Sequence, residues 1–319
     1  MLSKIYKLTL YLNEYIADFI KVIKFNSYSP FEDRQKRLFY RIIINAHAIE
    51  KGLSLDNPRP LFGQAKMTDL MQLTKGYNPS SYGFFPLEMT LGALKDYHAL
   101  HAAKNIEADF LHQVIDWQNQ LDAMSVEHAT GGSKQVLGDN NNPDLSHTEF
   151  LTSRFSCRAY LPELVSTELV AKIVKAAQSA PSQCNRQSTR IHCFQNKQQI
   201  VNLLTLQGGS SGFVDSVANL FVITSEQTAW GGAGQRSQSY VDGALFSMAL
   251  MYACQSFGIA TCPLNLAVTN KKEKAIQKAG NIHERERLIM MMAFGYPITE
   301  NLKAASSPRL PTEDILTLH

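Results

Sequence analysis

Four short runs hold the side chains whose types and spacing could do chemistry. In Arg154-Phe155-Ser156-Cys157-Arg158, two arginines flank a serine at alternate positions. An extended backbone sends successive side chains to opposite faces, so Arg154, Ser156 and Arg158 would share one face. Two guanidinium forks and a hydroxyl so placed match the oxygens of a phosphate monoester. Taken alone, the run also reads as two solvated surface arginines. The second run, Ala180-Pro181-Ser182-Gln183-Cys184-Asn185-Arg186-Gln187, follows a predicted helix. Its short polar side chains could hydrogen-bond the edge of a polar ring; by itself it is an ordinary turn. The third, Thr261-Cys262-Pro263-Leu264-Asn265, ends a predicted strand. The fourth, Ser306-Ser307-Pro308-Arg309-Leu310-Pro311, puts a single arginine in a proline-flanked extended arm.

Other chemistries find less support. The sequence has no Walker-type phosphate loop and no G-x-G-x-x-G fingerprint. Gly231-Gly232-Ala233-Gly234 lacks the spacing and does not directly follow a strand. A tightly held nicotinamide fold is therefore not expected. No serine or cysteine nucleophile with a histidine partner is legible in the sequence; the adjacent pairs Ser146-His147 and His192-Cys193 form no nucleophile motif. The five cysteines are odd in number and none are paired as C-x-x-C. That argues against a disulfide framework or a structural zinc site, and free thiols point to a reducing, cytoplasmic setting. His47 and Glu50 stand three apart on a predicted helix and can face the same way. A metal would want more ligands than this pair, so capping and packing at a helix end is the expected role.

These runs need elements to hold them. Up to about residue 128 the apolar spacing is helical. Tyr11, Tyr15, Ile16, Phe19, Ile20 and Ile23 recur at helical intervals until Pro30 breaks the pattern. A helix over 31–50 stops at Gly52, a good helix-end residue, and a proline-rich loop covers 53–66. Short helices follow at 68–75 and 86–103. Phe110, Val114, Trp117, Leu121 and Met124 form one stripe on a helix over 105–128. The turn-rich stretch 131–149 reads as a linker between a helical region, 1–130, and a mixed domain, 150–319. In the latter, Ser166 or Thr167 caps a helix that ends before Pro181. Residues 189–194 alternate like a strand, and 217–224, 259–262 and 288–294 are further strand candidates. The helix over 240–257 is apolar on nearly every side, so it is either central to its domain or covered by a partner subunit.

The bulk numbers set the frame. A chain of 319 residues, 45% hydrophobic, makes one large or two ordinary globular domains. A net charge of +3 is too mild to argue for nucleic acid. No apolar run reaches the roughly 20 residues a membrane span needs. The N-terminal 25 residues, with Lys4, Lys7, Lys21 and Lys24, read as a helix packed on its own domain or, alternatively, a basic amphipathic helix on a membrane.

Taken in order, the four runs resemble the nitroreductase family: R-x-S-x-R, a helix, A-P-S-x-x-N-x-Q, a long apolar helix, a strand with its proline, a strand closing on Gly295-Tyr296-Pro297, and an S-x-R arm. The resemblance covers residues 150–319, and the T-x-P-L-N version is similar to the branch containing the flavin dehalogenases. It implies an α+β fold, a nitroreductase-like central sheet flanked by helices, preceded here by the helical N-terminal region. It also implies flavin mononucleotide (FMN) as cofactor, NAD(P)H as transient electron donor, a small-molecule substrate, and a homodimer with the flavin at the interface. On that basis Arg154, Ser156, Arg158 and Arg309 would bind the FMN phosphate and ribityl chain. Pro181, Ser182, Asn185 and Gln187 would reach the flavin, often from the partner subunit. Thr261, Cys262, Pro263 and Leu264 would line the ring, with Thr261 as a tuning residue and no catalytic side chain. Ser307 stands where the family's arm often has a second basic residue. Trp230, Arg236 and Tyr240 are the candidate substrate-binding residues. Two other classes remain: a flavin dehydrogenase or modifying enzyme acting on a glycan or peptide, and a non-catalytic ligand-binding scaffold with this fold.

Overall fold

The computed structural model describes residues 6–9, 12–13, 15–16, 30–31, 33–124, 126, 129–135, 146–183, 187–230, 233–284 and 286–319. Most of the predicted helix over 11–23 lies outside them. The chain divides into two compact units: Asn13–Gln135 with Lys303–His319, and Met1–Leu12 with Val136–Leu302.

The first unit is helical. Its helices include α1 (Arg34–Leu53), α2 (Gln64–Lys75), α3 (Pro79–Tyr82), α4 (Phe85–Ala103) and α5 (Asp109–Ala123). Asp33 caps α1 by accepting from the Lys36 amide. Ile42, Ile49, Leu70, Leu91, Leu94, Val114 and Trp117 meet in one core. Gly52 does not end α1 through its backbone freedom, as the sequence led us to expect. A Cβ there would lie 2.1 Å from the Phe62 ring, so the glycine makes room for that ring. His101 ties the proline-rich loop to α4: its Nε2 accepts from the Leu61 amide, so Nδ1 carries the proton that goes to the Tyr97 carbonyl.

Residues 131–135, expected as linker, are built into this unit. The chain passes so close to α4 that a Cβ on Gly131 would sit 1.9 Å from the Met89 carbonyl oxygen. The Gly132 amide donates to Glu50 and the Ser133 amide to Asp96. Strand β1 (Ser133–Gln135) then pairs antiparallel with the strand Lys303–Ala305, in the register Ser133↔Ala305. This pairing and the packing of Leu310 on the helical core hold the C-terminal segment in the helical unit. The sequence had grouped it with residues 150–302. Residues 136–145 of the expected linker lie outside the described residues.

The second unit mixes helix and sheet. It runs α6 (His147–Ser153), α7 (Thr167–Ala177), β2 (Thr189–Phe194), α8 (Lys197–Gln207), β3 (Asn219–Glu226), α9 (Gln238–Ser256), β4 (Ala260–Asn265), α10 (Asn270–Ala279) and β5 (Glu286–Gly295); the C-terminal strand of the helical unit is β6. The sheet order is β2-β3-β5-β4, with every neighbouring pair antiparallel. The central strand β3 is buried along almost its whole length, which is why its sequence is apolar without alternation. Phe221, Ile223, Met292 and Phe294 pack with Leu250 and Cys254 of α9 and Ile173 of α7. Gly243 lets α9 approach the sheet: a Cβ there would be 2.7 Å from Ile289. The sequence missed α8 and α10.

Candidate functional site

The 154–158 run begins where α6 ends. Ser146 and Glu149 form a reciprocal capping box at the start of α6. Gln255, near the end of α9, donates to both the Phe150 carbonyl and the Ser153 hydroxyl at 2.8 Å. One buried amide therefore fixes the turn from which Arg154 projects.

From there the chain lies along the outer edge of β4. Ser156 bridges Thr261 in parallel sense, and the Cys157 amide donates to the Thr261 carbonyl at 2.9 Å. Phe155 and Cys157 are buried while Arg154 and Ser156 are half-buried, the alternation an extended segment requires. Arg158 is only 9% exposed, and its Nη1 donates to the Ser156 carbonyl at 3.3 Å. Nη1 of Arg154 is shielded from solvent. Two runs more than a hundred residues apart in sequence thus lie side by side. On β4, Thr261 and Cys262 are buried, and Pro263 sits on an edge strand, where a missing N–H costs no inner ladder bond.

Ser182 belongs to a second cluster in the same unit. A pocket of about 330 Å³ is lined by Pro181, Ser182, Gln187, Arg190, Asp242 and Phe246 among others. Asp242 is 3% exposed and gathers three donors. They are the Ser182 hydroxyl at 2.7 Å, the Gln183 amide at 3.0 Å and Gln238 Nε2 at 2.7 Å. Asn185 lies outside the described residues. Neither Arg154 nor Arg158 lines this pocket, so within one chain the arginine run and the 180–187 run form separate clusters.

Trp230, Arg236 and Tyr240 do not line that pocket either. Trp230 donates to the buried Ser225 hydroxyl, and Tyr240 stands half-exposed on α9 beside exposed Val241 and Leu245. Arg309 is exposed in the arm of the helical unit, where it donates to the Ser307 carbonyl. His47 and Glu50 do meet, at 2.8 Å, with Glu50 fully buried. That carboxylate also accepts from Gly132, which makes it a packing partner of the 131–135 segment. Among the described residues no group of three or more His, Cys, Asp or Glu could hold a metal.

Two of the thiols are unreactive by environment. Burial pushes Cys157 and Cys254 up to about 12, so neither offers a thiolate near neutral pH.

Residues 151–210 match the nitroreductase family model. That stretch contains the arginine run and the 180–187 run, parts of the two clusters just described. Among solved structures, an FMN-dependent nitroreductase from Clostridium difficile R20291 is 19% identical, with 47% of this chain and 87% of that chain covered and a TM-score of 0.42. B. megaterium NfrA2 is 22% identical, with 53% and 72% covered and a TM-score of 0.48. A nitroreductase-like protein from Streptococcus mutans is 18% identical, with 54% and 97% covered and a TM-score of 0.46. No curated protein matches the sequence.

Asp242 and Gln255 were missed by sequence reasoning. From residue 240 to the end of α9 they are the one carboxylate and the one amide side chain, the other hydrogen-bonding side chains there being Tyr240, Ser247, Tyr252 and Ser256. That is the signal: a polar side chain buried in an apolar helix must find hydrogen-bond partners, and here the partners are the two candidate clusters.

Proposed function

We propose that this chain is an FMN-dependent oxidoreductase of nitroreductase type, using NAD(P)H as a transient donor and a small molecule as acceptor. The observation that carries the reading is the docking of the Arg154–Arg158 run on Thr261 at the sheet edge. It supports a cationic patch, two arginines with a hydroxyl between them, beside the strand whose Thr261, Cys262, Pro263 and Leu264 would line a flat ring. The donor set fits a phosphate monoester: two arginines partly withdrawn from water, with a hydroxyl between them, make stronger bonds to a dianion than solvated ones would.

In this reading Arg154, Ser156 and Arg158 bind the phosphate and ribityl tail, and Thr261 tunes the ring. The chemistry that FMN supplies when bound is hydride uptake from a reduced nicotinamide followed by electron delivery to the acceptor. The chain's part is to anchor the tail, orient the ring and exclude water. The turn with Pro181, Ser182, Asn185 and Gln187 serves the flavin of a second copy, with Tyr240, Val241 and Leu245 of α9 at the subunit contact. Exposure of these three apolar side chains on one helix supports that assembly.

The test is spectroscopic. Purified protein, loaded with FMN and desalted, should keep flavin absorbance and bleach anaerobically with NADH or NADPH. Colour that returns on adding a quinone or nitroaromatic would identify the second half-reaction. Retention of flavin with no bleaching by either nicotinamide ends the reductase reading and leaves a substrate dehydrogenase. No retention at all leaves the scaffold.

A further inference from the structure

The hydroxyl of Ser182 is already committed. It donates to Asp242 Oδ2 at 2.7 Å and accepts from the Gln187 amide at 2.8 Å. A serine hydroxyl has one proton, so the Ser182 hydroxyl has none left to offer a ligand's acceptor atom. The Gln183 amide reaches the same carboxylate oxygen at 3.0 Å, and Gln238 Nε2 holds the other at 2.7 Å. Asp242 is fixed on α9, and its neighbour Gly243 packs tightly on the sheet through Ile289. Gln187 has φ +48, a left-handed conformation that a non-glycine residue keeps only where its surroundings impose it. Among the contacts that hold it, its N–H donates to Ser182 and its carbonyl accepts from Arg190 Nη1, each at 2.8 Å.

We infer that Asp242 is a positioning residue that latches Ser182 and Gln183 directly and Gln187 through the Ser182 hydroxyl, and that Ser182 acts in this latch rather than as a hydrogen-bond donor to bound ligand. The donors left to the pocket would then come from Gln178, Gln187 and Thr189, which line it, and from the guanidinium of Arg190 other than Nη1, which donates to the Gln187 and Thr189 carbonyls. The latch follows from the protein's own contacts. Its service to a flavin rests on the function proposed above.

Two measurements separate these parts. The first is residue-resolved amide exchange on the full-length protein without flavin. Ser182→Ala should speed exchange at Gln187 at least tenfold and leave Gln183 protected, because Asp242 still holds it. Asp242→Ala should speed both. Asp242→Asn should protect both, since its oxygen can face Ser182 and Gln183 while Gln238 turns its amide to accept. Strand β3 amides should stay protected throughout, which excludes global unfolding. Should Asp242→Ala fail to fold, the Ser182→Ala and Asp242→Asn patterns decide alone. Unchanged exchange at Gln187 in Ser182→Ala overturns the latch.

The second is FMN affinity by fluorescence quenching. Asp242→Ala should weaken binding at least tenfold and Asp242→Asn should restore it. A released turn with unchanged FMN affinity overturns the positioning role. A wild-type protein that binds no FMN instead removes the functional reading while leaving the exchange result intact.

Discussion

At the scale of single residues, the site candidates divide by donor capacity. Arg154 and Arg158 carry five N–H donors each at a sheet edge; the single proton of Ser182 is spent inside the protein. Replacing both arginines by alanine should remove two charge-assisted contacts, each worth about 1.5–3 kcal/mol. Flavin retention on a desalting column should then fall by more than tenfold, with the far-ultraviolet spectrum unchanged; unaltered retention would count against the phosphate assignment. The R-x-S-x-R spacing was legible because alternation along an extended run is a local property. That Asp242 consumes the Ser182 hydroxyl was not legible, because the two are joined only when α9 folds back over the turn.

Between elements, two joints carry testable energy. Glu286 begins β5 and accepts from Thr224 on β3 and from His192 on β2. Burial alone would raise its carboxyl, but these hydrogen bonds and the charges of His192 and Arg190 outweigh that and hold it below its ordinary value. A carboxylate depressed in the folded state contributes stability above its unfolded pKa of about 4.3, and that contribution is lost as pH falls through the folded value. Glu286→Gln should therefore cost about 1–3 kcal/mol at neutral pH in urea denaturation. The gap to wild type should close on acidification below about pH 4; a gap independent of pH would refute the assignment. In the helical unit, Gly131→Ala pushes a methyl onto the Met89 carbonyl. It should destabilise that unit by about 1–3 kcal/mol, seen as an earlier thermal transition. The sequence marked these glycines as a turn. Close approach of two backbones is a tertiary fact, and it moved 131–135 from linker to structure.

Over the whole molecule, the question is what covers α9. It is apolar on nearly all sides, as the sequence showed, yet Tyr240, Val241 and Leu245 remain exposed in the single chain. If a second copy covers them, Leu245→Glu should shift the sedimenting species from dimer to monomer and release flavin with it; a dimer that survives the substitution would place the interface elsewhere. By itself the sequence determined the periodicities, hence the helical first part, the span of β2, a cap at Ser166 or Thr167 (Ser166 in the structure) and the nitroreductase-like order of motifs. Those follow from side-chain spacing within a few residues. The tertiary structure alone decided three things: the sheet order β2-β3-β5-β4, the return of the 303–319 segment to the helical unit through β1 and β6, and the pairing of the arginine run with Thr261. Each is a contact between distant parts of the chain, and hydrogen bonds between backbones carry no mark in the residues that make them.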